Sequence, residues 1–132
     1  MIRRNFQTQA PLEKIVGYSR MVCVGDQIYI GGTTAVQPDG TVFGETAYEQ
    51  AKYIFQKFVT LLKQADAKPS DAFRIKAYIT DMALAKEVGE AYSEIFKEAQ
   101  PLFTMVETPK LNRPTQLVEI ELDAYRGCQV EA

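Results

Sequence analysis

The stretch Gln116–Tyr125, "QLVEIELDAY", alternates almost without a break. Extended, it puts Val118, Ile120, Leu122 and Ala124 on one face and Glu119, Glu121 and Asp123 on the other, because successive side chains of a strand point to opposite sides. One row suits a core. The other holds three carboxylates that either face water or line a site, and the rest of the chain has to decide between the two.

Upstream, residues 15–24 ("IVGYSRMVCV") and 27–34 ("QIYIGGTT") are rich in Val, Ile and Tyr around a Gly25–Asp26 turn, which predicts a hairpin. Pro38-Asp39-Gly40 marks a loop. Thr46 followed by Glu49 has capping-box spacing, in which each side chain satisfies the other's backbone amide. Ala47, Ala51, Ile54, Phe55, Phe58, Leu61, Leu62 and Ala65 then form the apolar stripe of a helix. That helix stops ahead of Pro69, which forces the residue before it toward extended geometry. "AFRIKAYIT" (72–80) is a third strand, with Phe73, Ile75, Ala77 and Ile79 opposite Arg74, Lys76, Tyr78 and Thr80.

Asp81 can cap a second helix striped by Leu84, Val88, Ala91, Tyr92, Ile95, Phe96 and Ala99 and ended by Pro101. "LFTMVE" (102–107) is a fourth strand, "TPKLNRPT" a loop, and the opening stretch the fifth. The order is β-β-α-β-α-β-β. This is an α+β fold forming one domain over residues 1–132, without repeat or linker.

Composition narrows the chemistry. The 132 residues are 46% apolar and 24% charged with net charge −2, a globular balance with no basic footprint, so nucleic acid is not an expected partner. No apolar run is long enough to span a membrane, and "MIRRNFQTQAP" lacks a signal-peptide core; a cytoplasmic protein is expected. There is no histidine, and Cys23 and Cys128 form no spaced motif. Ser-His-Asp and Cys-His schemes fall away, and a zinc site built on histidine or on the cysteines of one chain is not expected.

Two amphipathic helices can cover one face of the sheet, taken here as the face of Ile75, Thr104, Val106, Val118 and Ile120. The opposite face is expected to carry Tyr29, Tyr78, Phe103 and Met105 beside Glu119 and Glu121. Such a surface is too apolar to stay wet, and no third helix exists to cover it. Further copies of the chain are the expected cover, enclosing carboxylates beside aromatics at a subunit seam.

"GYSRMVCVGDQIYIGGTT", the Asp81 turn after "KAYI", and "PLFTMVE" followed by "LVEIE" resemble the Rid family of reactive-intermediate deaminases, also called the YjgF family, over essentially the whole chain. The resemblance implies a chorismate-mutase-like fold and a homotrimer: sheets in a central barrel, helices outside, and small-molecule clefts at the subunit interfaces. It also implies hydrolysis of enamines or imines to a ketone and ammonia without metal or cofactor. By position, Tyr18 matches the cleft tyrosine, Gly31-Gly32 the residues offering backbone groups, and Glu119 the glutamate that holds the attacking water. The family's cleft arginine, which clamps a substrate carboxylate, is replaced by Phe103, and the next inward position is Met105.

Arginine grips a carboxylate through paired charge-assisted bonds that phenylalanine lacks. Altered specificity is therefore expected, toward a neutral or aromatic ligand or an acid held by another cation.

Each candidate has a plain structural reading beside the functional one. Glu119 is a general base or a structural interface carboxylate, and Tyr18 a catalytic contact or a packed aromatic. Arg20, placed on the face of Tyr18 if the segment is a strand, is a substitute anion clamp or the partner of one of the three carboxylates. Gly31 and Gly32 give close backbone approach or form a bulge, and Thr33 and Tyr78 add hydroxyls to the substrate side. Beyond the deaminase-type hydrolase, a non-catalytic metabolite-binding trimer and a ribonuclease or translation inhibitor remain as alternatives.

Overall fold

The computed structural model describes residues 1–131. The alternating segments pair into one mixed six-stranded sheet. In chain order the elements are β1 (Arg3–Phe6), β2 (Met21–Val24), β3 (Gln27–Thr33), α1 (Ala47–Gln64), β4 (Ala72–Ile79), α2 (Ala85–Phe96), β5 (Leu102–Glu107) and β6 (Val118–Tyr125). Across the sheet the strands run β1-β2-β3-β6-β4-β5, antiparallel except for β4 against β5.

The opening stretch lies at the centre, and its apolar row meets the helices. In register, Ile75 faces Leu122, Ala77 faces Ile120 and Ile79 faces Val118, and all six are buried. Ile54, Phe55, Phe58 and Leu62 of α1 and Val88, Ala91 and Phe96 of α2 close over them, with Phe55 and Phe96 meeting edge to face at 5.4 Å. The Thr46–Glu49 capping box is present at the start of α1. Asp81 accepts from the amide of Ala83, capping a short 3-10 turn over Met82–Leu84 that leads into α2. No helix among the described residues is long and apolar enough to cross a membrane.

Phe73, expected on the face of Ile75, is instead exposed, because the β4–β6 pairing slips between Ala72 and Arg74; three further sequence expectations need correction. β1 adds a sixth strand at the sheet edge, paired with β2. Residues 15–17, expected to open the first strand, belong to a π-helical turn over Glu13–Gly17 that closes when the Tyr18 amide donates to the Glu13 carbonyl. Ile15 and Val16 are exposed on that turn, so their apolar character serves no strand face. The third correction concerns β5. Its parallel register sets Phe103 opposite Ile75 and Met105 opposite Ala77, so both turn toward the helices. Thr104 and Val106, expected on the helix side, lie on the open face with Lys76 and Tyr78.

Candidate functional site

The site is built around an irregularity in β3. Between Ile30 and Thr33 the pairing with β6 slips, so that one more residue is used on β3 than on its partner. Such a bulge re-aims the backbone locally. Here Gly31 and Gly32 supply it, with different demands. A Cβ on Gly31 would meet its nearest neighbour, the Arg20 carbonyl oxygen, at an ordinary 3.7 Å. A Cβ on Gly32 would sit 2.2 Å from Oε2 of Glu119. The Glu119 carboxylate lies against Gly32 in space that only glycine leaves open.

Beside the bulge is a cleft of about 780 Å³. Its walls are the segment 7–12, the bulge, the loop after β3, one side of α1 and residues of the 112–116 loop. Two buried glutamines hold the loops. Gln50 donates to the carbonyls of Gly44 (3.1 Å) and Thr115 (2.9 Å) and accepts from the Leu117 amide (2.8 Å). Gln116 donates to Thr34 Oγ1 at 3.1 Å and accepts from the Arg113 amide at 2.9 Å.

Tyr18, Arg20, Gly32, Thr33 and Glu119 all line this cleft. Arg20 does not reach the face of Tyr18 through strand alternation, since β2 begins only at Met21. It stands 5.5 Å from the Tyr18 ring centroid in a cation–π contact instead. The carboxylate pairing with Arg20 is none of the three in the opening stretch. It is Glu13, at 3.1 Å from Nε, with side-chain exposures of 12% for Arg20 and 1% for Glu13. Nη1 of Arg20 donates to the Gly32 carbonyl and, at 3.3 Å, to Thr33 Oγ1. Nη2 has no acceptor among the described residues and, with no buried side-chain nitrogen or oxygen left unsatisfied, reaches accessible space.

Gly31, Tyr78, Phe103 and Met105 are not brought to the cleft of a single chain. The Tyr78 hydroxyl donates to Glu121 at 3.3 Å. Phe103 stacks on Tyr92 of α2, with ring centroids 4.2 Å apart and an interplanar angle of 8°.

The two cleft-side glutamates titrate in opposite directions. Burial would raise Glu13, but hydrogen bonds from the Thr8 hydroxyl and amide, together with the Arg20 guanidinium, outweigh it and hold the carboxyl below the usual range. The Glu119 carboxylate accepts no hydrogen bond from any described residue. Burial pushes its carboxyl up, Arg20 pulls it back and Glu121 adds to the rise.

Sequence reading missed Glu13 and Lys57. Lys57 lines the cleft from α1. Its position beside Phe58 on the edge of the apolar stripe was the one signal available. Among the described residues no cluster of three or more His, Cys, Asp or Glu side chains could hold a metal ion.

Comparison with known proteins agrees with this architecture. The chain is 34% identical to a member of the YjgF/YER057c/UK114 family from Mycobacterium tuberculosis, whose crystal structure superposes with a TM-score of 0.86 over 94% of this chain and 99% of that one. It is 30% identical over 122 residues to a RutC family protein of Pyrococcus abyssi, covering 92% of this chain and 94% of that protein. It is 28% identical over 131 residues to the human 2-iminobutanoate/2-iminopropanoate deaminase, covering 96% of this chain and 93% of that protein. With residues 8–126 matching the Endoribonuclease L-PSP family model, the chain belongs to that family, the YjgF/Rid group.

Proposed function

We propose that the chain is a small-molecule hydrolase of the enamine or imine deaminase type, working without a cofactor in clefts completed at the interfaces of a homotrimer. The observation that carries this reading is the Glu119 carboxylate: unpaired, pushed up by burial, and set against Gly32 on the wall of a cleft. A base whose proton affinity is shifted toward neutrality accepts and returns a proton with little free-energy gap. The name of the human relative supports the reaction class.

In this reading Glu119 accepts a proton from water as the water oxygen adds to the imine carbon. The resulting carboxyl then returns the proton to nitrogen. Glu119 next takes the hydroxyl proton of the carbinolamine so formed and passes it to nitrogen, so that the C–N bond breaks, the C=O bond forms, and ammonia leaves with its electron pair. Tyr18 offers an aromatic edge and hydroxyl at the exposed rim, and Thr33 and the Gly32 backbone border the bound molecule. Arg20, locked by Glu13 and Gly32, lends its positive field to this end of the cleft.

The open sheet face supports the trimer. Leu102, Val106, Tyr29 and the half-buried Tyr78 share it with the charged row of β6, and no helix of this chain covers it. RNA cleavage, which the family description names, draws no support from a chain of net charge −2 without histidine.

The test is ammonia release from freshly generated 2-imino acids and neutral enamines by wild type and Glu119→Gln. Loss of the base should slow turnover at least about 100-fold while binding survives. Glu119→Gln turnover within about threefold of wild type would remove Glu119 from the mechanism. Wild-type binding of these compounds without ammonia release would make the protein a metabolite-binding trimer.

A further inference from the structure

Lys57 stands at the cleft wall without a counter-ion among the described residues. Its ammonium donates to the backbone carbonyls of Thr34 at 2.9 Å and Val36 at 2.7 Å, and lies 4.9 Å from the Tyr53 ring centroid. The ion pairs among the described residues are Arg20 with Glu13 and Arg126 with Asp26, so no carboxylate of a described residue reaches Lys57. A half-buried ammonium held only by neutral acceptors and a ring is fixed in position but not neutralised. Two of its three N–H donors are occupied, leaving one for an acceptor from outside the chain. Arg20, close enough to act on it electrostatically, also has its Nη2 donors free.

We propose that Lys57, with the free edge of Arg20, forms the anion subsite of the cleft and holds a ligand carboxylate while the ligand's other end lies against Glu119. This inference rests on the hydrolase reading for the orientation of the ligand, but not for the existence of the anion subsite. It gives the chain a carboxylate anchor from α1, at a place unrelated to position 103.

The charged neighbours set its pH behaviour. Burial and the Arg20 guanidinium lower the Lys57 pKa to about 8, while Glu13 pulls the other way. Glu119 and Arg113 line the same cleft, and Tyr53 packs alongside from α1. An acid bound here gains the full ammonium charge at pH 7 and loses it as pH rises past about 8. A carboxylate ligand in turn stabilises the protonated amine and extends that range upward.

The test is titration calorimetry with 2-oxobutanoate and with 2-butanone, which lacks the carboxylate, against wild type, Lys57→Met and Lys57→Arg. Thermal unfolding of each variant serves as a folding control. Lys57→Met should weaken 2-oxobutanoate at least about 10-fold, a change of about 1.4 kcal/mol, and leave 2-butanone unchanged. Lys57→Arg should keep the affinity. Wild-type affinity for the acid should fall between neutral and strongly alkaline pH, while that of Lys57→Met stays flat across the same range.

Equal affinity of wild type and Lys57→Met for the acid, equal weakening of both probes, or no wild-type binding of 2-oxobutanoate would overturn the subsite. Lysine-dependent acid binding without ammonia release from any imine would sink the hydrolase reading and leave the anion subsite standing. Ammonia release from 2-imino acids with KM unchanged in Lys57→Met would do the reverse.

Discussion

Replacing Gly32 with alanine should separate catalysis from stability. Gly32 lies outside the left-handed backbone region, so alanine brings no backbone strain. The three atoms nearest the new methyl all belong to Glu119: Oε2 at 2.2 Å, Cδ at 3.1 Å and Cγ at 3.5 Å. Ordinary contact begins near 3.4 Å, so the carboxylate oxygen must retreat by about 1.2 Å. It is the free end of a flexible side chain, and an off-rotamer adjustment costs about 0.5–1.5 kcal/mol. For a domain of this size that is a fall in Tm of about 2–6 °C.

Under the proposed hydrolase mechanism the effect on chemistry is larger, because a reacting group misplaced by about 1 Å can cost about 100-fold. Thermal unfolding, ammonia release and an NMR titration of the Glu119 carboxyl would follow the three consequences. Expected are a small drop in Tm, a loss of turnover comparable to Glu119→Gln, and a Glu119 pKa that moves down as the carboxylate swings toward water. Gly31→Ala, whose methyl meets only the Arg20 and Ser19 carbonyls at 3.7 and 4.0 Å, should leave turnover and titration unchanged. If Gly32→Ala kept full turnover, or cost as much stability in a Glu119→Ala background as in wild type, the close approach would not be what holds the carboxylate.

Three further outcomes are expected. Glu13→Ala leaves Arg20 a charge without its partner in a largely buried place and should cost about 3–5 kcal/mol in urea unfolding. Because the folded pKa of Glu13 is lowered, its contribution is present above the ordinary value of 4.5 and is lost as pH falls through the lower folded value; the gap between wild type and Glu13→Ala should close there. Glu119 behaves in the opposite sense. Its folded pKa is raised, so its ionisation works against the fold as pH rises through that value, and Glu119→Gln should be more stable than wild type at neutral pH but not below about 4.5. Val106→Asp, on the open face of β5, should dissociate the proposed trimer in light scattering, and a wild-type mass of one chain at micromolar concentration would exclude that assembly.

Sequence legibility followed how local each signal was. The α1 stripe, its Thr46–Glu49 cap and the alternation of β6 are written within a few residues, and each formed as read. β1 carries no such pattern in "RRNF"; it is a strand because β2 offers it a partner. "LFTMVE" has apolar residues on both faces, so parity alone did not say which side meets the helices. Parallel pairing with β4 decided it and turned Phe103 onto Tyr92. In the site, Glu119 and Gly32 were visible as an alternation and a glycine pair. Glu13 was hidden because a π-helical turn brings it back to Arg20.

The strand order also bears on when this site first exists during synthesis. β1, β2 and β3 come from residues 3–33 and β4 and β5 from residues 72–107, and the two groups do not pair with each other. β6, the final strand to emerge, is the one that joins them. Until it docks, the inner edges of β3 and β4 lack their strand partner, and unpaired edges are open to wrong pairing. Because the same strand carries Glu119, no partly made chain displays the assembled cleft. Closing the sheet and arming the cleft are one event.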